Sequence, residues 1–437
     1  MTYFEIAYRL LGQYETGGKY LNLSLNSHMT DSLSKKDRAL LTALLYKTVE
    51  KKLTYDYYIS AIAKRSVDKI TPQALDALRL GVCALLDMNS IPEHAAVNEA
   101  VSLIRRASER SFVNGVLRAV AREKDNLPLP DKSKNAPRYY SVYYSIPLPT
   151  VKYMISLLGE ESAVKFFEFI NSPDITTAVT VNTIKISREQ FIDKLHKAGY
   201  KATASSLSDI SIRIEGSFDP KEIDGFYEGE FFVQDEASAL SALTLGAEAG
   251  ELIIDACSAP GGKSFALAIL SRDGADVRSF DIHDSKISLI ESGAKRLGLN
   301  SVRASARDAT APDRSLFGKA DRVLCDVPCS GLGVFAKKPD LRYKDITSLE
   351  SLSELQLDIL TASSKYLKAG GELVYSTCTL RREENEEIVD RFLSENSDFE
   401  ALDFSFSDIK SENGKLTLYP HIHNTDGFFI SKLRKKK

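Results

Sequence analysis

Residues 255–264, DACSAPGGKS, decide which fold the second half of this 437-residue chain adopts. The run that leads into them, ELIIDAC, is short and apolar, and the run that follows, SFALAILSRD, has helical spacing. A strand, a glycine-rich turn and a helix in this order are typical of a parallel sheet with crossover helices. Three more apolar runs, VRSFDI, RVLCDVP and GELVYSTC, alternate with helical segments. We therefore predict an α/β domain over residues 241–437.

The turn is not the phosphate-binding loop of nucleoside triphosphatases, although GGKS resembles the end of one. The pattern GxxxxGK[ST] requires a glycine where the chain has Cys257, and Pro260 lacks a backbone N–H that a phosphate cradle would use. The dinucleotide-binding pattern GxGxxG is absent from this turn as well. The turn therefore predicts a ligand that approaches the backbone without a chain of phosphates.

Acidic residues near the ends of later strands suit an adenosine ligand. Asp281 ends the run VRSFDI, 20 residues after Gly261, where a carboxylate can accept hydrogen bonds from two ribose hydroxyls. Asp308 follows another strand-like run and could meet an adenine amino group. Either acid alone is better explained as an acidic residue of a surface loop. Together with the turn they favour S-adenosylmethionine, which carries adenosine and a sulfonium but no phosphates.

Two cysteines follow the carboxyl ends of predicted strands, Cys329 in DVPCSG and Cys378 in STCT. Ligands of open α/β sheets bind at that edge. A single cysteine is more often a small buried side chain, but two beside a methyl-donor site favour catalysis. Carbon 5 of a pyrimidine becomes nucleophilic when a thiolate adds to carbon 6, whereas methylation of an amine or an oxygen needs no thiol. The pattern predicts carbon methylation and leaves open which cysteine is the nucleophile.

The composition argues against several other classes of protein. Five cysteines, an odd number, do not predict a disulfide framework, and their spacing does not predict a zinc site or another metal centre. We find no apolar run of the length that a membrane span needs and no export signal at the N-terminus, so we expect a cytoplasmic protein. The net charge of −3 excludes a polycation but can hide a local basic surface.

The first half of the chain has a different organisation. Residues 1–127 have apolar side chains at helical spacing and predict an all-helical domain, in which Thr71 caps a helix that begins at Pro72. Residues 128–149 are proline-rich and aperiodic, which predicts a linker. Residues 150–240 mix helical and strand patterns and predict a small α+β module, with Ser187 as the N-cap of its helix.

Several of these segments resemble known families. DACSAPGGKS, DVPCSG and STCT, in this order, resemble motifs I, IV and VI of the Sun/Fmu family of RNA cytosine-C5 methyltransferases, as do FFVQDEAS and DGFFISKL. IPEHAAVNEAVSLIRR and SFVNGVLRAV resemble the NusB RNA-binding domain. The resemblance implies a NusB-like domain at 1–127, an RNA-recognition-like module at 150–240 and a Rossmann-like S-adenosylmethionine-dependent methyltransferase at 241–437. This layout is that of the family's enzymes for 16S ribosomal RNA.

The resemblance also implies residue roles. Cys378 is the implied nucleophile and Cys329 assists release of the methylated product. Asp326 is expected to bind the pyrimidine edge as well as the cofactor, and Lys263 to pair with Asp326. The implied cofactor-binding residues are Cys257, Ser258, Ala259, Pro260, Gly261, Gly262, Lys263, Asp281, Asp308 and Asp326.

Two basic segments are candidate RNA contacts. Residues 103–124 contain six Arg or Lys, among them Arg105 and Arg106, and KKPDLRYKD contains Lys338 and Arg342 soon after Cys329. A solvated surface is the alternative for both segments. The expected partner is 16S ribosomal RNA, naked or in a partly assembled small subunit, with an unpaired or flipped cytosine. We expect a monomer.

Two other functions stay open at this point. One is an RNA-binding or transcription factor of the NusB type whose methyltransferase domain is inert. The other is methylation of transfer RNA or large-subunit RNA. An inert domain should have lost a thiol or the cofactor loop, and the chain has kept both.

Overall fold

The computed structural model describes residues 1–17, 33–172, 176–216 and 218–437. The chain divides into two compact units, and each unit contains two stretches of sequence. These are Met1–Asn171 with Lys337–Ile346, and Ser172–Ala336 with Thr347–Lys437.

The described part of the first unit is helical. Its helices are α1 (Tyr3–Gly17), α2 (Lys35–Glu50), α3 (Lys52–Ala63), α4 (Pro72–Leu86), α5 (Glu93–Ser102), α6 (Ala107–Glu123), α7 (Ala136–Tyr143), α8 (Leu148–Leu158) and α9 (Glu160–Ile170). Thr71 caps α4 by accepting a hydrogen bond from the Ala74 backbone N–H, with Pro72 at the first helical position, which confirms that prediction. Apolar side chains of α1 to α6 form one buried core.

The predicted linker at 128–149 is wrong in part, because it contains α7 and the first residues of α8. Asn135 caps α7 by accepting from the Arg138 backbone N–H at 3.0 Å, and Pro137 lies in the first turn. Proline is well tolerated there, so a proline-rich composition can conceal a helix start. Helices α8 and α9 also belong to the first unit. The boundary therefore lies near residue 171 rather than at 150.

The segment Lys337–Ile346 belongs to the first unit although it follows the Cys329 loop in sequence. Arg342 is fully buried there, and its guanidinium donates to Asn171 Oδ1 at 3.0 Å and to the Ile170 carbonyl at 2.8 Å. The Tyr343 hydroxyl donates to the Val49 carbonyl at 2.8 Å. The prediction that Arg342 contacts an RNA phosphate is therefore wrong, because its charged group is enclosed by this unit.

The second unit begins with a small antiparallel sheet. Its strands, in the spatial order β2-β3-β1-β4, are β1 (Thr177–Val181), β2 (Ala202–Ala204), β3 (Ser211–Ile214) and β4 (Phe231–Val233). Helix α10 (Arg188–Lys197) covers this sheet and buries Phe191 against Phe231. Ser187 and Gln190 form a capping box at its start, which confirms Ser187 as the N-cap.

The larger sheet has the predicted α/β architecture. Its strands are β5 (Leu252–Asp255), β6 (Asp276–Asp281), β7 (Val302–Ala306), β8 (Ala320–Asp326), β9 (Leu367–Thr377), β10 (Phe399–Ala401), β13 (Lys415–Leu418) and β14 (Phe428–Lys435), while β11 (Ser405–Phe406) and β12 (Ile409–Lys410) pair separately. The spatial order is β10-β14-β9-β8-β5-β6-β7, and β13 pairs with β14. The five consecutive strands from β5 through β9 are parallel to one another, whereas β14 is antiparallel to β9. This is a Rossmann-like sheet.

Helices connect and cover these strands. They are α11 (Glu236–Leu245), α12 (Gly262–Leu270), α13 (Asp284–Leu297), α14 (Glu350–Ser364), α15 (Glu386–Glu395) and α16 (Pro420–His423). The strand order reverses between β5 and β8, and the loops after β5, β8 and β9 leave the same edge of the sheet. Ligands of open α/β sheets bind at such a reversal. Within the described part of the chain, every helix is too short or too polar to span a membrane.

Candidate active site

The loop between β5 and α12 is shaped mainly by its backbone. Gly261 has φ +111°, and a Cβ at this position would lie 2.4 Å from the Phe265 ring, so both conformation and space require glycine. The Ser258 backbone N–H donates to the Phe280 carbonyl at 2.7 Å, which fastens the loop to the end of β6. The predicted cofactor turn is thus a tight loop whose residues Cys257, Ala259 and Pro260 are partly or largely exposed.

Asp281 at the end of β6 faces this loop. One carboxylate oxygen accepts from the Ala259 backbone N–H at 3.3 Å, and the other accepts from the His283 backbone N–H at 3.0 Å. The carboxylate is therefore fixed beside the turn while each oxygen keeps a lone pair for another donor. Two acceptor oxygens fixed in this way fit the two ribose hydroxyls of an adenosine ligand.

Asp308 lies after β7 and is exposed. Its Oδ1 accepts hydrogen bonds from the Thr310 backbone N–H at 2.8 Å and from the Thr310 hydroxyl at 2.7 Å. The carboxylate therefore closes its own turn, and its proposed contact with adenine stays a prediction.

Asp255 ends β5 below the cofactor loop and is fully buried. It accepts a hydrogen bond from the Ser264 hydroxyl at 2.6 Å, and Ser279 in turn donates to Ser264 at 2.8 Å. Burial raises the pKa of Asp255 to about 7, although the bond from Ser264 and the charge of Lys263 act in the opposite direction. Asp255 therefore supports the loop from the interior as an acid that is partly neutral near pH 7.

An ion pair joins the cofactor loop to the end of β8, which lies beside β5 in the sheet. Lys263 Nζ lies 2.6 Å from Asp326 Oδ2, as predicted, and the Ser376 hydroxyl donates to Asp326 Oδ1 at 2.8 Å. Burial lowers the pKa of Lys263, but the charge of Asp326 and their hydrogen bond outweigh it, so the net shift is upward. Lys263 therefore keeps its positive charge, and these bonds link the first turn of α12 to the ends of β8 and β9.

The two cysteines that follow β8 and β9 meet at this edge. Cys329 Sγ and Cys378 Sγ are 3.2 Å apart, both residues are half-buried, and neither forms a disulfide. By contrast, Cys325 is fully buried within β8, where burial raises the pKa of its thiol to about 12. The structure thus separates the two candidate nucleophiles from a cysteine that only packs.

The hydrogen bond between the two sulfurs raises the pKa of Cys329 well above its ordinary value, and burial adds to this effect. A thiol at Cys329 can therefore donate to the sulfur of Cys378. Such a bond stabilises a thiolate at Cys378, the reactive form of a cysteine nucleophile.

Two buried residues that the sequence did not signal hold these cysteine loops. Glu384 is fully buried and accepts from the Ser330 backbone N–H at 2.8 Å. Asn385, also buried, donates through Nδ2 to the Thr379 carbonyl at 3.0 Å. Both lie in the charged run RREENEE, which resembles an exposed surface. Neither hydrophobic periodicity nor a sequence motif predicts that these two residues are buried.

Two candidate RNA contacts of the first unit, Arg105 and Arg106, are distant from this site in sequence, whereas Lys338 comes soon after Cys329. Arg105 and Arg106 are exposed at the start of α6, where Arg106 lies 3.6 Å from Glu109. Lys338 is exposed as well. Their contacts with phosphate stay predictions. Within the described residues, no three His, Cys, Asp or Glu side chains form a group that could hold a metal ion.

The chain matches two protein families. The family described as 16S rRNA methyltransferase RsmB/F matches residues 242–434, and the NusB family matches residues 4–122. The probable ribosomal RNA small subunit methyltransferase B of Bacillus subtilis is 35% identical over 446 residues, covering 99% of this chain and 98% of the relative. The probable enzyme of the same name from Synechocystis is 30% identical, covering 99% of each chain.

Solved structures show the same architecture. The crystal structure of PH0851 gives a TM-score of 0.84 at 25% identity and covers 100% of this chain and 99% of that chain. The crystal structure of NSun6 from Pyrococcus horikoshii with SFG gives a TM-score of 0.58 at 26% identity, covering 65% of this chain and 97% of that one.

Proposed function

Because this chain belongs to the 16S rRNA methyltransferase RsmB/F family, we propose that it transfers a methyl group from S-adenosylmethionine to carbon 5 of one cytosine in 16S ribosomal RNA. Methylation of small-subunit ribosomal RNA with S-adenosylmethionine is the activity of this family. One observation supports carbon 5 of cytosine as the methylated atom. The sulfurs of Cys329 and Cys378 lie 3.2 Å apart at the edge of the sheet where the cofactor loop lies. A methyltransferase acting on nitrogen or oxygen has no use for two such thiols.

The cofactor is held by the loop 257–263 and by Asp281. The loop backbone would hold the adenosine, and the Asp281 carboxylate would accept hydrogen bonds from the ribose hydroxyls. When bound, S-adenosylmethionine supplies the methyl group as an electrophile on a positively charged sulfur and leaves as S-adenosylhomocysteine. Asp326, fixed by Lys263 and Ser376, faces the pyrimidine edge around N3 and N4.

Cys378 starts the reaction as a thiolate. Its sulfur forms a bond to carbon 6 of the cytosine, and the electrons of the C5–C6 double bond move to carbon 5, which then takes the methyl group. The negative charge of the thiolate and the positive charge of the sulfonium cancel, so the adduct is neutral. Splitting the reaction into two easier steps is the advantage of covalent catalysis.

Cys329 completes the reaction. Once Cys378 is bonded to the ring its sulfur carries no charge, and the Cys329 thiol gives its proton to solvent. The Cys329 thiolate then accepts the proton on carbon 5, the C5–C6 double bond forms again, and the S–C6 bond breaks with its electrons returning to Cys378. One proton is released overall, as the exchange of C–H for C–CH₃ requires.

The assignment of Cys378 rather than Cys329 as nucleophile rests on the family resemblance. The target cytosine must be unpaired or flipped, since a stacked base hides carbon 6. Arg105, Arg106 and Lys338 are the proposed phosphate contacts, and we propose a monomer that acts in the cytoplasm.

Product analysis tests this function. The protein is incubated with tritiated S-adenosylmethionine and, separately, with naked 16S RNA, partly assembled small subunits, 23S RNA and transfer RNA, and the RNA is then digested to nucleosides. We expect labelled 5-methylcytosine from 16S RNA or small subunits alone. Label on adenine or guanine would contradict the cytosine assignment. Label in 23S RNA or transfer RNA would contradict the target, and no label from any RNA would favour an inert RNA-binding protein.

A further inference from the structure

Glu384 and Asn385 each hold the residues on both sides of one catalytic cysteine. The Glu384 carboxylate accepts from the Ser330 N–H, and it also accepts from Gln356 Nε2 at 3.0 Å, which itself donates to the Pro328 carbonyl at 2.9 Å. Pro328 and Ser330 are the neighbours of Cys329. This loop is therefore fixed before and after its sulfur by one buried network.

Asn385 does the same for the other cysteine. Its Oδ1 accepts from the Thr377 hydroxyl at 2.6 Å, and its Nδ2 donates to the Thr379 carbonyl at 3.0 Å. Thr377 and Thr379 are the neighbours of Cys378. The hydroxyls of Ser330 and Thr379 also form a hydrogen bond of 2.7 Å, which joins the two loops directly.

We infer that Glu384 and Asn385 are positioning residues that set the two catalytic sulfurs at their working distance, Glu384 through the Cys329 loop and Asn385 through the Cys378 loop. This inference rests on the proposed function, because it assigns the two residues to different steps of the covalent reaction. Asn385 governs formation of the S–C6 bond and Glu384 governs release. Displacing a reacting group by about 1 Å can slow a step on the order of 100-fold.

Glu384 also acts on Cys329 through its charge. Its carboxylate lies behind the loop, and its negative charge contributes to the raised pKa of Cys329. The charged and titratable groups around Cys329 include Cys378 and Asp326 at the strand ends, Tyr375 within β9, and Glu384. Lys263 of the cofactor loop acts on Cys378, and the Arg381 guanidinium lies 3.4 Å from the Glu384 carboxylate. Removing the charge of Glu384 should therefore let Cys329 ionise at lower pH.

Single-turnover kinetics with unmodified 16S RNA separate the two roles. The covalent protein–RNA adduct is followed on denaturing gels, and its formation and decay are timed over a range of pH. For Glu384→Gln we expect formation within about 3-fold of the wild type, decay slowed about 10-fold or more, and the rise of the decay rate with pH displaced to lower pH. For Asn385→Asp we expect formation slowed about 10-fold or more and decay within about 3-fold.

The control is Glu387→Gln, which removes an exposed carboxylate three residues from Glu384 in sequence and should leave both rates unchanged. Binding of S-adenosylmethionine by each variant checks that the fold is intact. If Glu384→Gln does not fold, Gln356→Met carries the test, since it removes only the bonds to Pro328 and Glu384 and should slow decay alone. Equal slowing of both steps by both variants, or an unshifted pH dependence in Glu384→Gln, overturns the inference.

Failure of the proposed function would look different. Cys329→Ala should accumulate adduct on 16S RNA whatever the role of Glu384. If neither the wild type nor Cys329→Ala forms adduct or 5-methylcytosine, the covalent mechanism is wrong. If the wild type and Cys329→Ala both form adduct or 5-methylcytosine, and Glu384→Gln behaves like the wild type, only the inference about Glu384 is wrong.

Discussion

The loop after β5 and the loops after β8 and β9 lie at one edge of the sheet but are built differently. The first is shaped by backbone, with Gly261 at φ +111° and the Ser258 N–H on the Phe280 carbonyl. The other two are held by buried side chains, Glu384 and Asn385. A backbone loop suits a ligand that must be approached closely. Loops held by side chains suit reacting atoms that must be kept at a fixed distance.

The same residue type shows the difference. Cys257 and Cys378 are both half-buried cysteines just beyond a strand end. Burial raises the pKa of Cys257 well above its ordinary value, so this residue stays a thiol in the turn. Cys378 has a second sulfur at 3.2 Å that can donate to it. Under the proposed mechanism, the two cysteines differ in reactivity because of their neighbouring groups and not because of their position at the sheet edge.

The largest expected effect belongs to Cys378→Ala. Because the proposed S–C6 bond cannot form without its sulfur, we expect formation of 5-methylcytosine to fall by a factor on the order of 1,000 or more. Binding of S-adenosylmethionine, measured by calorimetry, should stay within about 2-fold because the cofactor loop has its own supports. Activity above about 1% of the wild type would mean that another nucleophile carries the reaction.

The second-largest effect is expected for Lys263→Met, which removes the ion pair between the cofactor loop and Asp326 at the end of β8. It leaves the Asp326 carboxylate without its cation in a partly buried place, so we expect a loss of activity of about 10- to 100-fold and a lower free energy of unfolding in urea. The double variant Lys263→Met/Asp326→Asn removes both charges. It should recover stability but not activity. Recovery of activity would show that the pair serves only folding.

Asp255→Asn tests the acid beneath the backbone loop. The folded-state pKa of about 7 lies above the ordinary value, so the stability contributed by neutral Asp255 is complete below about pH 4 and is lost as pH rises through about 7. The wild type should therefore lose up to about 4 kcal/mol of unfolding free energy between pH 4 and pH 7, of which about 3 kcal/mol is lost above pH 5, and the asparagine variant should not lose this part. Urea unfolding at pH 5 and pH 8 measures the difference. Identical pH dependence in both proteins would contradict this account of Asp255.

The smallest effect is expected for Cys257→Ala. The turn keeps its backbone hydrogen bonds and its glycines, so we expect kcat and the KM for S-adenosylmethionine to change by no more than about 3-fold. Steady-state assays alongside Cys378→Ala provide the comparison. A loss approaching that of Cys378→Ala would remove the distinction between the two loops.

Much of the catalytic unit was predictable from the sequence because its signals are local. Short apolar strands, a glycine turn and cysteines at strand ends follow one another within a few residues, and the caps at Thr71 and Ser187 are equally local. Arg342 and Glu384 were not predictable in this way. Both are charged residues in polar runs, and their burial depends on partners such as Asn171 and Ser330 that are distant in sequence.

The segment Lys337–Ile346 has a consequence for how this protein can be divided. The polypeptide leaves the helical unit near residue 171, returns to it for these residues, and leaves it again. A fragment ending near residue 171 would lack the arginine and the tyrosine that fill its interior, and the complementary fragment would carry them without their partners. Neither half is therefore a self-sufficient expression product, and a single proteolytic nick between them would not yield two intact domains.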